Sequence, residues 1–123
     1  MEQTLYDSYG KPVAYIADDQ WKSIYLWRGH AVAYLQDEKI YGWNGKHLGW
    51  LVDGILYDLA GRRTGFLRER CPVVVHAAPA KYAKYGKYAK YARHAAYARA
   101  ARSTAISPQS LEDFLKVGAV GSV

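Results

Sequence analysis

One twelve-residue pattern occurs four times in the first seventy positions, and it constrains this chain more than any other feature. The copies are Leu5 to Ile16, Ile24 to Leu35, Ile40 to Leu51 and Leu56 to Leu67. Each reads aliphatic, Tyr, three variable residues, Gly, a basic residue, two variable residues, a small residue, an aromatic, an aliphatic. The starts lie 19, 16 and 16 residues apart, so the first link is the longest, and it carries Trp21. Agreement at so many positions in four copies predicts four equivalent units that shelter one another.

Each unit reads as a β-hairpin. Gly10, Gly29, Gly45 and Gly61 close two-residue loops of the kind that need positive φ, and Asn44-Gly45 is the strongest such pair. Asp53-Gly54 and Asp37-Glu38 mark tight links between copies. Eight short strands follow, in an antiparallel meander. Strict alternation places Tyr25, Trp27, His30, Val32 and Tyr34 on one face and Ile24, Leu26, Ala31, Ala33 and Leu35 on the other. In the third copy it places Tyr41, Trp43, Lys46, Leu48 and Trp50 opposite Ile40, Gly42, His47, Gly49 and Leu51. The face with small central residues turns toward a common axis, and four hairpins close around it. Closure removes exposed strand edges and lets marginal hairpins stabilise one another. The expected fold is therefore mainly β, four tandem antiparallel hairpins in a closed pseudo-fourfold arrangement. The aromatic face, with Trp27, Tyr34, Trp43 and Trp50, is left as a candidate contact surface.

Three segments follow from this division: the hairpin domain at 1–70, a tail at 71–106, and a short amphipathic helix at 107–118. The tail has a strict period of three. From Ala77 every third residue is small, the preceding phase holds Tyr82, Tyr85, Tyr88, Tyr91 and Tyr97, and the remaining phase is basic. In an α-helix such stripes drift about 60° per triplet. A polyproline II strand, with three residues per turn, would give three straight faces. The period thus favours an extended or disordered tail, and the Ala, Lys and Arg content supports a long helix as the alternative. Beyond Ser107-Pro108, Pro108 suits a first helical turn, Ser110 and Asp113 resemble a capping box, Leu111, Phe114 and Leu115 form an apolar face, and Gly118 is a stop.

Charge singles out the tail. Residues 1–70 hold nine basic and nine acidic residues, and residues 71–123 hold eight against two, so the whole excess of +6 lies beyond the repeats. A basic, aromatic segment suits a polyanion, with cations on phosphates and rings on bases. The candidate residues are Lys81, Tyr82, Lys84 and Tyr85, then Lys87, Tyr88, Lys90 and Tyr91, and finally Arg93, Arg99 and Arg102.

Catalytic chemistry finds no foothold. Cys71 is the only cysteine, precedes Pro72, and has no activating neighbour in sequence except Arg70, so it reads as a structural thiol rather than a nucleophile. His30, His47, His76 and His94 lack metal-ligand spacing, and the glycines are spaced by hairpins rather than in a phosphate loop. Asp18, Asp37, Asp53 and Glu69 recur at one place in the repeat and form an acidic ring under fourfold symmetry; solvated turn residues are the simpler account. No metal, cofactor or enzymatic activity is expected. No signal peptide and no run of about 18 apolar residues is present, so a cytoplasmic protein with no membrane span is expected.

The repeats, "IYLWRGHAVAYL" and "IYGWNGKHLGWL" above all, resemble the bacterial family called the 4-fold beta flower domain. The likeness covers roughly residues 4–70, and a basic Ala-rich extension ending in a Leu-Glu-Asp-Phe-Leu segment fits the same kind of protein. It implies a pseudo-fourfold set of hairpins and no particular activity. "YDLAGRRTGFL" is also similar to YD repeats and "YGWNGKHLGW" to a MORN repeat, each in one copy. The functional expectation is a non-enzymatic structural or interaction module that self-associates, or binds another protein, through the tail and the aromatic face. The alternative is nucleic-acid or other polyanion binding through the tail.

Overall fold

Glycine at the bend sets each hairpin. In the computed structural model, which describes residues 1–121 and residue 123, Gly10, Gly29, Gly45 and Gly61 take φ of 83°, 102°, 91° and 82°. Their N–H groups donate back to Asp7, Leu26, Gly42 and Asp58, and those four residues donate to Lys11, His30, Lys46 and Arg62. The loops therefore hold three residues, with glycine last, rather than two.

The strands are β1 (Gln3–Tyr6), β2 (Pro12–Ile16), β3 (Ser23–Leu26), β4 (Ala31–Gln36), β5 (Lys39–Gly42), β6 (His47–Val52), β7 (Ile55–Asp58) and β8 (Arg63–Phe66). They form a closed antiparallel barrel in chain order, sealed by Tyr6 opposite Phe66. Each hairpin carries one β-bulge. Tyr6, Tyr25, Tyr41 and Tyr57 face Pro12, Ala31, His47 and Arg63, while the preceding residues face Ala14, Ala33, Gly49 and Gly65. Val13, Val32, Leu48 and Thr64 are the extra residues. A bulge breaks the two-residue alternation. Val13, Val32 and Leu48 consequently join the axial core, and His47 turns outward among Tyr41 and Trp50, the reverse of what strict alternation predicts.

The axial core gathers Leu5, Ile24, Ile40 and Leu56 with Ala14, Ile16, Leu26 and Ala33 and the bulge residues Val13, Val32 and Leu48. A single helix, α1 (Leu111–Lys116), completes it. Ser110 caps α1, its hydroxyl accepting from the Asp113 N–H at 3.1 Å, and Leu111, Phe114 and Leu115 are buried in the barrel core. The helix is shorter than 107–118, and Pro108 lies outside it. The small residues make the space. A Cβ on Gly65 would come within 2.8 Å of Leu111, and one on Gly49 within 3.1 Å of Phe114. Gly118 is not a left-handed stop. It packs against Gly42, and its carbonyl accepts from the Asn44 N–H at 3.0 Å. No helix among the described residues is long and apolar enough to cross a membrane.

Candidate interaction surface

The repeat builds the same aromatic group between successive hairpins. Tyr15 stacks on Tyr25 at 5.5 Å and meets Trp27 edge-on; Tyr34 stacks on Tyr41 at 6.1 Å and meets Trp43 edge-on. Trp50 faces Tyr57 across the next strand pair. Strand register dictates this, because the closing aromatic of one copy stands opposite the tyrosine of the next. The expected aromatic face therefore exists, but it is covered. Tyr34, Trp43 and Trp50 are at most 3 % exposed, and Trp27 is half-buried.

The cover is the chain's own tail. Between the short 3-10 turn at Arg68–Arg70 and α1, the tail forms no helix, and its backbone bonds outward to the hairpin bends. The N–H groups of His76, Tyr85, His94 and Ser103 donate to the carbonyls of Gly10, Gly29, Gly45 and Gly61 at 2.9–3.0 Å. The spacing is nine residues each time. Three triplets of the tail therefore match one hairpin, and the tail is a strap that visits all four in turn. The strap ends by pairing with β8, where Arg63 exchanges hydrogen bonds with Ala105 and Ser107, and then enters α1.

The basic phase of the strap turns inward. Lys81 and Lys84 reach Glu2 at 2.8 and 2.9 Å, with their ammonium groups 4.6 and 5.4 Å from the Tyr15 ring centre. Lys87 reaches Asp19 at 2.8 Å, Arg99 pairs with Glu38, and Arg102 lies 3.4 Å from Asp53 over the Tyr57 ring. Long basic side chains suit this role, since their stems cover apolar rings while the charged ends reach carboxylates. The two lysines hold the Glu2 carboxyl below its ordinary range, against the opposing effect of burial. Burial likewise pushes the Asp19 carboxyl up, but hydrogen bonds from Lys87 and Ser23 outweigh it and bring its pKa to about 2.

A depressed carboxylate pKa stabilises the folded state above the unfolded value and loses that contribution as pH falls through the folded one. The Asp19 contribution is therefore intact above about pH 4 and disappears toward pH 2. Melting temperature should fall across that window, and Asp19→Asn should flatten the fall. A variant with an unchanged slope would show that Asp19 does not anchor the strap.

The tyrosine phase faces outward. Tyr82, Tyr85, Tyr88, Tyr91 and Tyr97 are 57–63 % exposed. Tyr85 stacks on His30 at 4.4 Å and Tyr97 on His47 at 5.9 Å, whereas Tyr82 and Tyr91 have no ring partner among the described residues. The structure thus splits the candidate polyanion set. Five cations are committed to carboxylates of the barrel. Lys90 and Arg93 instead lie over Tyr34 and Tyr41 and meet no carboxylate among the described residues. The tyrosines form a row of their own, invisible without knowing which phase faces inward.

A family model described as 4-fold beta flower protein matches residues 3–115. The chain belongs to the 4-fold beta flower family. That match runs through the strap and most of α1, well beyond the four repeats. Comparison with curated proteins and with solved structures finds no match for the chain.

Within this beta flower the remaining chemical candidates have structural partners. His47 accepts the Tyr97 N–H at Nδ1, 3.0 Å away, so its proton sits on Nε2, which donates to the Gly49 carbonyl at 3.0 Å. Burial holds its pKa below the ordinary histidine value, which keeps it neutral for that acceptor role. The Cys71 thiol lies 3.5 Å from the Asp7 carbonyl. Asp37 and Asp53 are left-handed turn residues, with φ of 56° and 53°. Among the described residues, no three His, Cys, Asp or Glu side chains gather as a metal site.

Proposed function

We propose that this beta flower is a non-enzymatic interaction module, and that it presents the outward row of tyrosines on its strap. The barrel's own aromatic face is spent on holding that strap. One observation carries the reading: the chain buries nine of the twelve aromatics in residues 1–70, yet leaves five tyrosines more than half exposed on the strap. Tyrosine is the residue type enriched at protein contacts, because it combines apolar area with a hydroxyl and few rotatable bonds.

The first partner to test is a second copy of the chain. Two copies each carry a formal charge of +6, so they repel, and salt screens that repulsion. Self-association through tyrosines should therefore strengthen as salt is raised from about 20 to about 500 mM. Polyanion binding has the opposite salt dependence. Sedimentation equilibrium should show a dimer that Tyr82→Ser, Tyr88→Ser and Tyr91→Ser abolish together, with the thermal melt unchanged. A monomer at both salt concentrations at about 1 mM protein, a concentration that detects even a weak contact, would remove the self-association reading. Association unchanged in the triple variant would remove the tyrosine row.

A further inference from the structure

We infer that the third quarter of the strap is a nucleotide site, in which Lys90 and Arg93 hold a phosphate and Trp21 receives the base. The argument starts from the nine-residue period. It makes Lys81 and Lys84, Lys90 and Arg93, and Arg99 and Arg102 three equivalent pairs of cations. The first pair shares Glu2, and the third is divided between Glu38 and Asp53. The middle pair meets no carboxylate among the described residues.

The reason lies in the longer first link. Its Asp19 is occupied by Lys87 at 2.8 Å and by the Ser23 N–H at 2.9 Å, and its Asp18 faces Lys22 at 3.7 Å. The same insertion delivers Trp21, 41 % exposed, with its ring centre 3.1 Å from the Lys90 ammonium. Lys90 and Arg93 line one open groove of about 740 Å³, with Tyr34, Tyr41, Tyr91 and His94 among its other walls. Burial, then Arg93 and Lys87, push the Lys90 pKa down against a smaller opposing pull from Asp19, so these cations repel one another and an anion between them would relieve that.

An ammonium and a guanidinium three residues apart on an extended chain, about 9 Å between Cα atoms, can close on one phosphate group. Lys90 covers one face of the Trp21 indole, and the other face of this half-exposed ring is the stacking surface for a planar base. A free mononucleotide and a nucleotide within a single strand share this chemistry. The site shares Tyr91 with the tyrosine row as one wall of the groove but makes no use of Tyr82 or Tyr88, so variants of Lys90, Arg93 and Trp21 test it apart from that row.

Calorimetric titration of the full chain at about 20 mM salt, where charge contacts are least screened, tests it with adenosine 5′-monophosphate, ribose 5-phosphate, inorganic phosphate and decathymidylate. Adenosine monophosphate should bind at least about tenfold more tightly than inorganic phosphate. Lys90→Gln and Arg93→Gln should each weaken it about tenfold or more, and Trp21→Leu should reduce it to the level of ribose 5-phosphate. Lys46→Gln, at an exposed hairpin bend, should change nothing. A decathymidylate affinity well above that of the mononucleotide, lost in the same variants, would assign the strand as the source; equal affinities would assign the free nucleotide. No saturable binding by any of the four, equal binding of adenosine monophosphate and phosphate, or wild-type affinity in Lys90→Gln and Arg93→Gln would overturn the inference.

Discussion

Phe114→Ala will destabilise this protein by about 3–5 kcal/mol, read from urea midpoints at constant slope. The side chain is 4 % exposed and packs in the axial core of the barrel, against a wall cleared for it by Gly49. Truncation removes the transfer free energy of the ring and leaves a cavity that strands tied in a closed barrel cannot collapse to fill. A domain of this size has roughly 5–15 kcal/mol of stability in total. The loss is therefore a large share of it, although α1 contributes only six residues. Glu112→Ala, on the exposed side of the same helix, should stay within about 0.5 kcal/mol. Gly65→Val supplies the converse test, because its side chain would occupy the space of Leu111 and should expel the helix without truncating it. A loss below about 1 kcal/mol for Phe114→Ala would mean that the barrel is self-sufficient and α1 an appendage.

Substituting alanine for Gly29 and Gly45 together will release the strap. Two costs fall on the same atoms. Each glycine has φ near or above 90°, a region that L residues avoid at a cost of roughly 1–2 kcal/mol. Each new Cβ would also collide with a strap carbonyl, of Ala83 at Gly29 and of Ala92 at Gly45. The hairpins can absorb the first cost and keep the barrel, but the collision can be relieved only by moving the strap. Once it lifts, the hydrogen bonds from Tyr85 and His94 break, and the ion pairs of the inward lysines become solvated single charges. Cleavage by trypsin between Lys81 and Arg102 should accelerate at least about tenfold, as should amide exchange at Tyr85 and His94. Exchange in the barrel strands should change far less. Cleavage at the wild-type rate would show that the strap is not held by the bends.

The hairpins were legible from sequence because their causes are local. A glycine with positive φ, a link such as Asp53-Gly54, and a repeated aromatic opposite a repeated tyrosine are each settled within a few residues, and closure follows from four hairpins that cannot stand alone. The Ser110 cap of α1 is legible for the same reason. The bulges were not, because no residue type marks Val13, Val32 or Leu48 as extra, and the reversed places of His47 and Leu48 follow from that miss.

The strap is the clearest case. Its period of three is plain in the sequence, and the polyproline II geometry that gives such a period straight faces has no internal hydrogen bonds to fix which way they point. Its partners lie between 49 and 82 residues away, at Gly29, Gly45, Glu2 and Asp19. The sequence by itself therefore determined four equivalent hairpins, their bends and a basic, aromatic segment in triplets. Only the tertiary structure decided that nine residues match one hairpin, that the cations turn inward and the tyrosines outward, and that one pair of cations is left without acids. The physical reason is that the first set of features minimises local backbone and side-chain energy, whereas the second minimises the energy of charges and rings brought together only after the barrel has closed.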